Sequence, residues 1–409
     1  MATDRLTAGG LEERSRPRPL QDVRVLDVSR VVAGPFAGRL LADLGADVVK
    51  IEPPAGDATR AYGQVKAGLS GSFSQQNVGK RNICVDLKAP GGVDLVLRLA
   101  ASADLMLENF RPGVLDRLGL GWKTLSAVNP KLILLSLTGF GQTGPDAGRR
   151  AYAPVIHAET GLVARQAAFD ARPPSDPMPS IADTNASLHG VVAALAALHL
   201  RHATGRGQHI DVSMAEAMLA TDDYSHHALD EFGILRVGGD VWQAPGGALL
   251  TAGLFSNVWG MLRDAQVVDE PGGADADSPE ATRRRMAAVQ TWMASFADRA
   301  SLIEALESAG VAWADVCEPM EVFNSRWARA RRAWAEVDDR NGGVRRIVQT
   351  PYRFSDADSG VRGRVSHRGE DNAHVLRDWL GLDSREVQQL IAGGVLQTDG
   401  RGAAAGDSD

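Results

Sequence analysis

A doubly wound α/β sheet, covered by helices on both faces, is the fold class this sequence predicts. Three observations carry it: short β-branched runs alternate with helical periods, those runs are almost wholly apolar, and Gly-Pro turn signals separate them. VRVLDVS from Val23 reads as a buried strand and is closed by Ala33-Gly34-Pro35. FAGRLLADLG then reads as a short helix with Leu40, Leu41 and Leu44 on one face and Gly45 suited to end it. ADVVKIE returns to strand and stops at Pro53-Pro54, so the three segments form a βαβ unit with parallel strands. ICVDL, DLMLENF, KLILLSLTGFG and QHIDVSM repeat the strand pattern, with GGVDLVLRLAASA as an intervening helix. The strongest helix runs from Ser187 to Gly205, rich in alanine and leucine.

At 409 residues the chain has room for two or three domains. The boundaries expected are a mobile tail over 1–17, a large domain over 18–221, a smaller one over 222–343, a C-terminal segment over 344–398 and a second tail over 399–409. From about Asp222 the strand–helix alternation gives way to helical, arginine-rich stretches, and six of the eight tryptophans lie between Trp242 and Trp334. The net charge of −7, with no basic stripe, argues against nucleic acid as a partner. No apolar run reaches the length of a membrane span, and Cys84 and Cys317 form neither a disulfide framework nor a zinc motif. The expectation is a soluble, cytoplasmic protein without a membrane partner.

Ligands of a doubly wound sheet bind beyond the carboxyl ends of its strands, so the loops there matter first. Arg30-Val31-Val32-Ala33-Gly34-Pro35 lacks the GxGxxG pattern, which makes a nicotinamide site weak even with Glu52 at the end of the second strand. Ile181-Ala182-Asp183-Thr184-Asn185 precedes the long helix and reads first as its N-cap. The rival reading is a carboxylate nucleophile at Asp183, able to attack a thioester. His199, His202, His226 and His227 do not have metal-ligand spacing, Arg283-Arg284-Arg285 reads as a solvated face, and GxSxG is absent. No metal site is expected.

Six blocks in order carry a resemblance. They are LQDVRVLDVSRVVAGPFAGRLLADLGADVVKIEPPAGDATR, NVGKRNICVDLKAPGG, ADLMLENFRPGVLDRLGLGW, NPKLILLSLTGFGQTGP, IADTNASLHGVVAALAALHLRHATGRGQHIDVSMAEAML and RGEDNAHVL. Together they resemble the family III CoA-transferases, the group of formyl-CoA and carnitine CoA-transferases and α-methylacyl-CoA racemases. The resemblance is dense from residue 20 to 220 and thin beyond. It implies a Rossmann-like large domain completed by the C-terminal segment, a smaller inserted domain, and two chains interlocked as a homodimer, with a heteromer of homologous subunits as the alternative.

By that resemblance Asp183 is the residue that forms the acyl-enzyme. Val31, Asn109, Phe110, Arg117, Leu118 and Arg150 fall on CoA-binding positions, Arg150 in place of a lysine. Tyr152 falls on an active-site tyrosine and Val32 on a substrate-side position. Gly246 and Gly247 are the nearest match to a glycine loop that covers the intermediate. CoA and acyl-CoA would be substrates together with a carboxylic acid, with no permanently bound cofactor. Tyr152-Ala153 stands where racemases have histidine and aspartate, and His157 is not expected to substitute. Val32 for glutamine and Pro53 for arginine argue against formate or oxalate as substrate, and the stretch from Glu231 to Gly310 is shorter than in formyl-CoA transferases. A racemase and a catalytically degenerate CoA-binding subunit are the alternative readings.

Overall fold

The computed structural model describes residues 16–230, 238–272 and 278–399. Most of both expected tails therefore lies outside the described residues. Six parallel strands form the central sheet: β1 (Arg24–Asp27), β2 (Asp47–Glu52), β3 (Arg81–Cys84), β4 (Leu105–Glu108), β5 (Ile133–Thr138) and β6 (His209–Ser213). Their order is β3-β2-β1-β4-β5-β6, so the chain reverses its winding between β1 and β4. That switch point, with Asp27 beside Leu107, opens the crevice where such sheets take ligands.

Successive strand residues face opposite sides, so one short strand feeds two cores. Val25 packs with Leu105, Leu135 and the helices α1 (Ala33–Asp43) and α5 (Ile181–Thr204); Leu26 packs on the other side with α2 (Gly92–Ala101) and α3 (Trp122–Val128). Two shorter helices, α4 (Ala153–Glu159) and α6 (Met214–Thr221), bury Ile156 and Met218 against Ala182 and Ala186 at the start of α5. By length and hydropathy α5 could cross a membrane, contrary to the expectation that no segment qualifies. Its Val191, Ala194, Ala197 and Leu198 are instead buried against the sheet, which explains the apolar composition as core packing.

Tyr224–Arg331 forms a separate compact unit. It contains an antiparallel sheet that the sequence reading did not foresee: β7 (Gly239–Ala244), β8 (Gly247–Ala252) and β9 (Trp313–Asp315), in the order β9-β8-β7. Helices α7 (Phe255–Asp264), α8 (Pro279–Ala294) and α9 (Arg299–Ser308) supply Val258, Val289 and Leu302 to a core shared with Trp242 and Leu249. The Trp242 indole donates to Thr251 Oγ1 at 2.8 Å, so its one polar atom is satisfied in the interior.

This unit ends at Arg331 and not at residue 343. The following hairpin, β10 (Trp334–Asp338) with β11 (Val344–Val348), places Val337 and Ile347 in a core with Leu69, Phe73 and Val78 of the large unit. The chain then returns through α10 (Asn372–Leu380) and α11 (Ser384–Ala392). Val375, Leu376 and Trp379 complete the core around Leu26 and Ile83, and Asp371 clamps β3 by exchanging bonds with the Asn82 main chain.

Candidate active site

The loop after β1 is built on buried charge. Asp27 is fully buried and accepts from Lys80 Nζ at 2.8 Å and from both the N–H and hydroxyl of Ser29. Lys50 Nζ donates to the Ser29 carbonyl at 2.7 Å. Burial lowers the Lys80 pKa to about 8, while the ion pair with Asp27 opposes that fall. These bonds seat Ser29 where a Cβ on residue 34 would lie 2.1 Å from its own Cβ, so the turn admits only glycine there.

Val31 takes the left-handed backbone region, φ 68°, an uncommon conformation for a β-branched residue. It is held by the bond from its N–H to Asp57 Oδ2 at 3.1 Å. Arg30 and Asn109 exchange bonds of 2.8 Å in both directions, and the Arg30 guanidinium lies 5.7 Å from the centre of the Phe110 ring. The loops after β1 and β4 are therefore stitched together across the switch point. Val31, Asn109 and Phe110 meet there, and Val32 stands at the start of α1.

Asp183 approaches the same place from α5. It is not the N-cap: α5 starts at Ile181, Ser180 occupies the cap position without a side-chain bond, and Asp183 lies inside the first turn. The Ala33 N–H, at the first turn of α1, lies near enough to the Asp183 carboxyl group to favour its charged form. Ser187 Oγ lies 2.6 Å from the Ala33 carbonyl and 2.7 Å from that of Asp183, tying α5 to the loop. Burial pushes the Asp183 pKa up to about 6, a rise that the neighbouring Ala33 N–H opposes. A half-buried carboxylate at that value is ionised at neutral pH yet poorly solvated, which suits nucleophilic attack.

The other expected residues are placed less centrally. Arg117 is exposed at the end of a short helix after β4, and Leu118 is half-buried against the sheet core. Arg150 is exposed, and Tyr152, 63% exposed, stands at the N-cap of α4. Gly246 lies in the β7–β8 turn of the other unit and Gly247 opens β8, with φ of 81° and 127°. Arg299 donates to the carbonyls of Pro245, Gly247 and Ala248, holding that turn in place. His157 is fully buried with both ring nitrogens engaged, so it is no free base.

Two residues escaped the sequence reading. Glu108, at the end of β4, accepts the Phe110 N–H at 2.7 Å and so shapes the Asn109–Phe110 turn. Burial raises its pKa to about 7, with the nearby Ser136 hydroxyl and the Phe110 N–H pulling the other way. Asp57 holds Val31 as described. Glu108 carries a signal in hindsight, an acid closing an apolar strand just before Asn-Phe; Asp57 sits in a loop with no pattern around it.

The fold and these loops define a doubly wound α/β protein in which the first turn of α5 carries the Asp183 carboxyl group to the loop after β1. Residues 20–372 match CoA-transferase family III, and the chain belongs to that family. It is 32% identical over 93% of its length to succinyl-CoA–D-citramalate CoA-transferase of Chloroflexus aurantiacus, 98% of which is covered. It is 30% identical over 91% of its length to the beta subunit of succinyl-CoA–L-malate CoA-transferase from the same organism, 96% of which is covered. A crystal structure of a CAIB/BAIF family protein from Brucella suis aligns with a TM-score of 0.74 and 29% identity, covering 89% of this chain and 100% of that one. The protein is thus a CoA-transferase of family III.

Proposed function

We propose that this enzyme moves CoA from an acyl-CoA donor to a carboxylic acid by way of covalent intermediates on Asp183. The carrying observation is the Asp183 carboxyl group, its pKa raised to about 6 by burial, facing the Ala33 N–H beside the stitched β1 and β4 loops. The carboxylate attacks the thioester carbonyl, the C–S bond breaks, and CoA thiolate leaves an aspartyl-acyl anhydride. The thiolate attacks the aspartyl carbonyl and expels the donor acid as its carboxylate, leaving an aspartyl-CoA thioester. The acceptor carboxylate then repeats these steps in reverse and regenerates Asp183. One thioester replaces another, so the protein's task is to keep water from the anhydride.

Val31, Asn109, Phe110, Arg117, Leu118 and Arg150 are assigned to CoA, with Tyr152 and Val32 on the acyl side. Engagement of both His157 nitrogens favours transfer over racemisation, which needs a second free base. The free thiols of Cys84 and Cys317 suit the cytoplasm, the compartment assigned here. An interlocked homodimer is proposed on the exposed apolar residues of α5, Leu188 and Val192 one turn apart and Leu200 beyond. Two relatives are named as alpha and beta subunits, so a heteromer is the second assembly to test. Mixing two tagged preparations tests the homodimer: mixed dimers should form only after denaturation, and their rapid formation in native buffer would refute interlocking.

The decisive experiment incubates the protein with a panel of acyl-CoAs, succinyl-CoA included, and maps covalent adducts by mass spectrometry. An acyl or CoA adduct on Asp183 is expected. Turnover of a substrate with an adduct elsewhere would overturn the mechanism.

A further inference from the structure

The first-turn N–H groups of a helix have no partner within it, and α5 does not satisfy them from its own cap residue. Ile181 N–H turns back to the Pro179 carbonyl at 2.8 Å. Ala182 N–H, immediately before Asp183, donates to Nε2 of His157 at 3.1 Å. That histidine comes from α4, and its side chain is fully buried. Its Nδ1 lies 2.8 Å from Asp176 Oδ1, on the segment that leads into α5.

Hydrogen-bond chemistry dictates the tautomer. A backbone N–H only donates, so Nε2 must hold its lone pair toward Ala182, and the ring proton sits on Nδ1 facing the Asp176 carboxylate. The ring is a neutral imidazole with both nitrogens satisfied. The same turn is also tied through Ser187 Oγ, which bridges the Asp183 and Ala33 carbonyls. Asp183 is therefore gripped between two external anchors, one reaching the β1 loop and one reaching α4.

We infer that His157 and Asp176 form a positioning pair: His157 caps the first turn of α5 from outside, Asp176 fixes the tautomer that allows it, and together they aim the Asp183 carboxyl group. Neither touches the reacting atoms. The inference rests on the reading of Asp183 as nucleophile. Loss of the acceptor leaves a buried N–H unpaired and lets the turn relax, which lowers the rate of attack more than the affinity for CoA.

Asp176→Asn is the informative variant, because its side chain is 39% exposed and its replacement leaves the core intact. Asparagine removes the carboxylate charge that holds the ring proton on Nδ1 and offers an amide N–H to that nitrogen, which lets the proton shift to Nε2 and sets it against the Ala182 N–H. The expected result is a kcat lower by about tenfold with KM for acyl-CoA unchanged. Asp176→Ala, which lets water serve Nδ1, should lose only about two- to threefold. His157→Gln, whose carbonyl can accept from Ala182, should recover most of the rate lost in His157→Leu.

Two readouts do not depend on turnover. Nitrogen-15 NMR of the histidines should find the His157 proton on Nδ1 in the wild type and on Nε2 in Asp176→Asn. Hydrogen exchange of the Ala182 amide should be faster in Asp176→Asn and His157→Leu. A wild-type ring protonated at Nε2, or Asp176→Asn with unchanged kcat and Ala182 exchange, overturns the pair. Absence of any Asp183 adduct overturns the nucleophile reading instead, and the two failures are told apart because the ring proton is read without substrate.

Discussion

The inner end of the candidate site and its rim are built on opposite principles. Around Asp183 the groups are buried and the bonds are directed: Ser187 Oγ and the Ala182–His157 contact converge on the first turns of α5, with the Ala33 N–H nearby. Arg117 and Arg150, assigned to the rim, are exposed, and Tyr152 stands in solvent at a helix start. Desolvation at the inner end raises the carboxylate's free energy and its reactivity, whereas water at the rim weakens each charge–charge contact. Chemistry should therefore depend on single groups inside, and binding on the sum of several outside.

The largest effect tests that division. Asp183→Asn should lower acyl transfer by about a thousandfold or more while CoA still binds, measured by single-turnover kinetics and calorimetry with deamidation excluded. Transfer surviving in that variant would erase the contrast between the two ends. Gly34→Ala should cost about 1–3 kcal/mol of stability, read from the urea midpoint, because the new Cβ would fall 2.1 Å from that of Ser29. An unchanged midpoint would mean that the β1 loop is soft.

Asp183→Asn should also raise stability at pH 8 by up to about 3 kcal/mol, the linkage value for a carboxyl lifted from 3.8 to about 6. The sign follows from proton affinity. The folded state binds this proton more tightly than the unfolded state, so its contribution is full below pH 3.8 and lost as pH rises through about 6. The variant's advantage should vanish near pH 4, and wild-type transfer should fall about tenfold per unit below pH 6. Equal melting curves at pH 8 would place Asp183 in water. The smallest effects belong to the rim: Arg117→Ala and Arg150→Ala should each weaken CoA by about two- to fivefold, fading at high salt. A loss of a hundredfold in either would move that arginine to the inner end.

Much of the large unit is legible in the chain. The apolar runs at Val25, Val48, Leu105 and Ile133 lie on strands because each is buried on both faces, which leaves periodicity little choice. The sheet of the second unit was not legible. Gly239–Ala244 and Gly247–Ala252 alternate weakly, and the second's outer partner, Trp313–Asp315, arrives some 60 residues later across three helices. The hairpin at Trp334–Val348 was cut in two by the expected boundary at residue 343, its first strand falling on the side of the smaller domain. Its arginines advertise surface, while only Val337 and Ile347 reveal where it packs.

Sequence alone determined the strand–helix alternation, the glycine of the β1 turn and the residue types that chemistry would need, because these follow from local sterics and periodicity. Tertiary structure decided what Asp183 is. Within its own helix it is one first-turn acid among cap-like neighbours, and its raised pKa arises from burial beside Ala33. It decided His157 as well, which reads as a stray base until α4 brings it to the Ala182 N–H, 25 residues away. Burial and directed bonding depend on the groups that folding brings together, and a local pattern does not contain them.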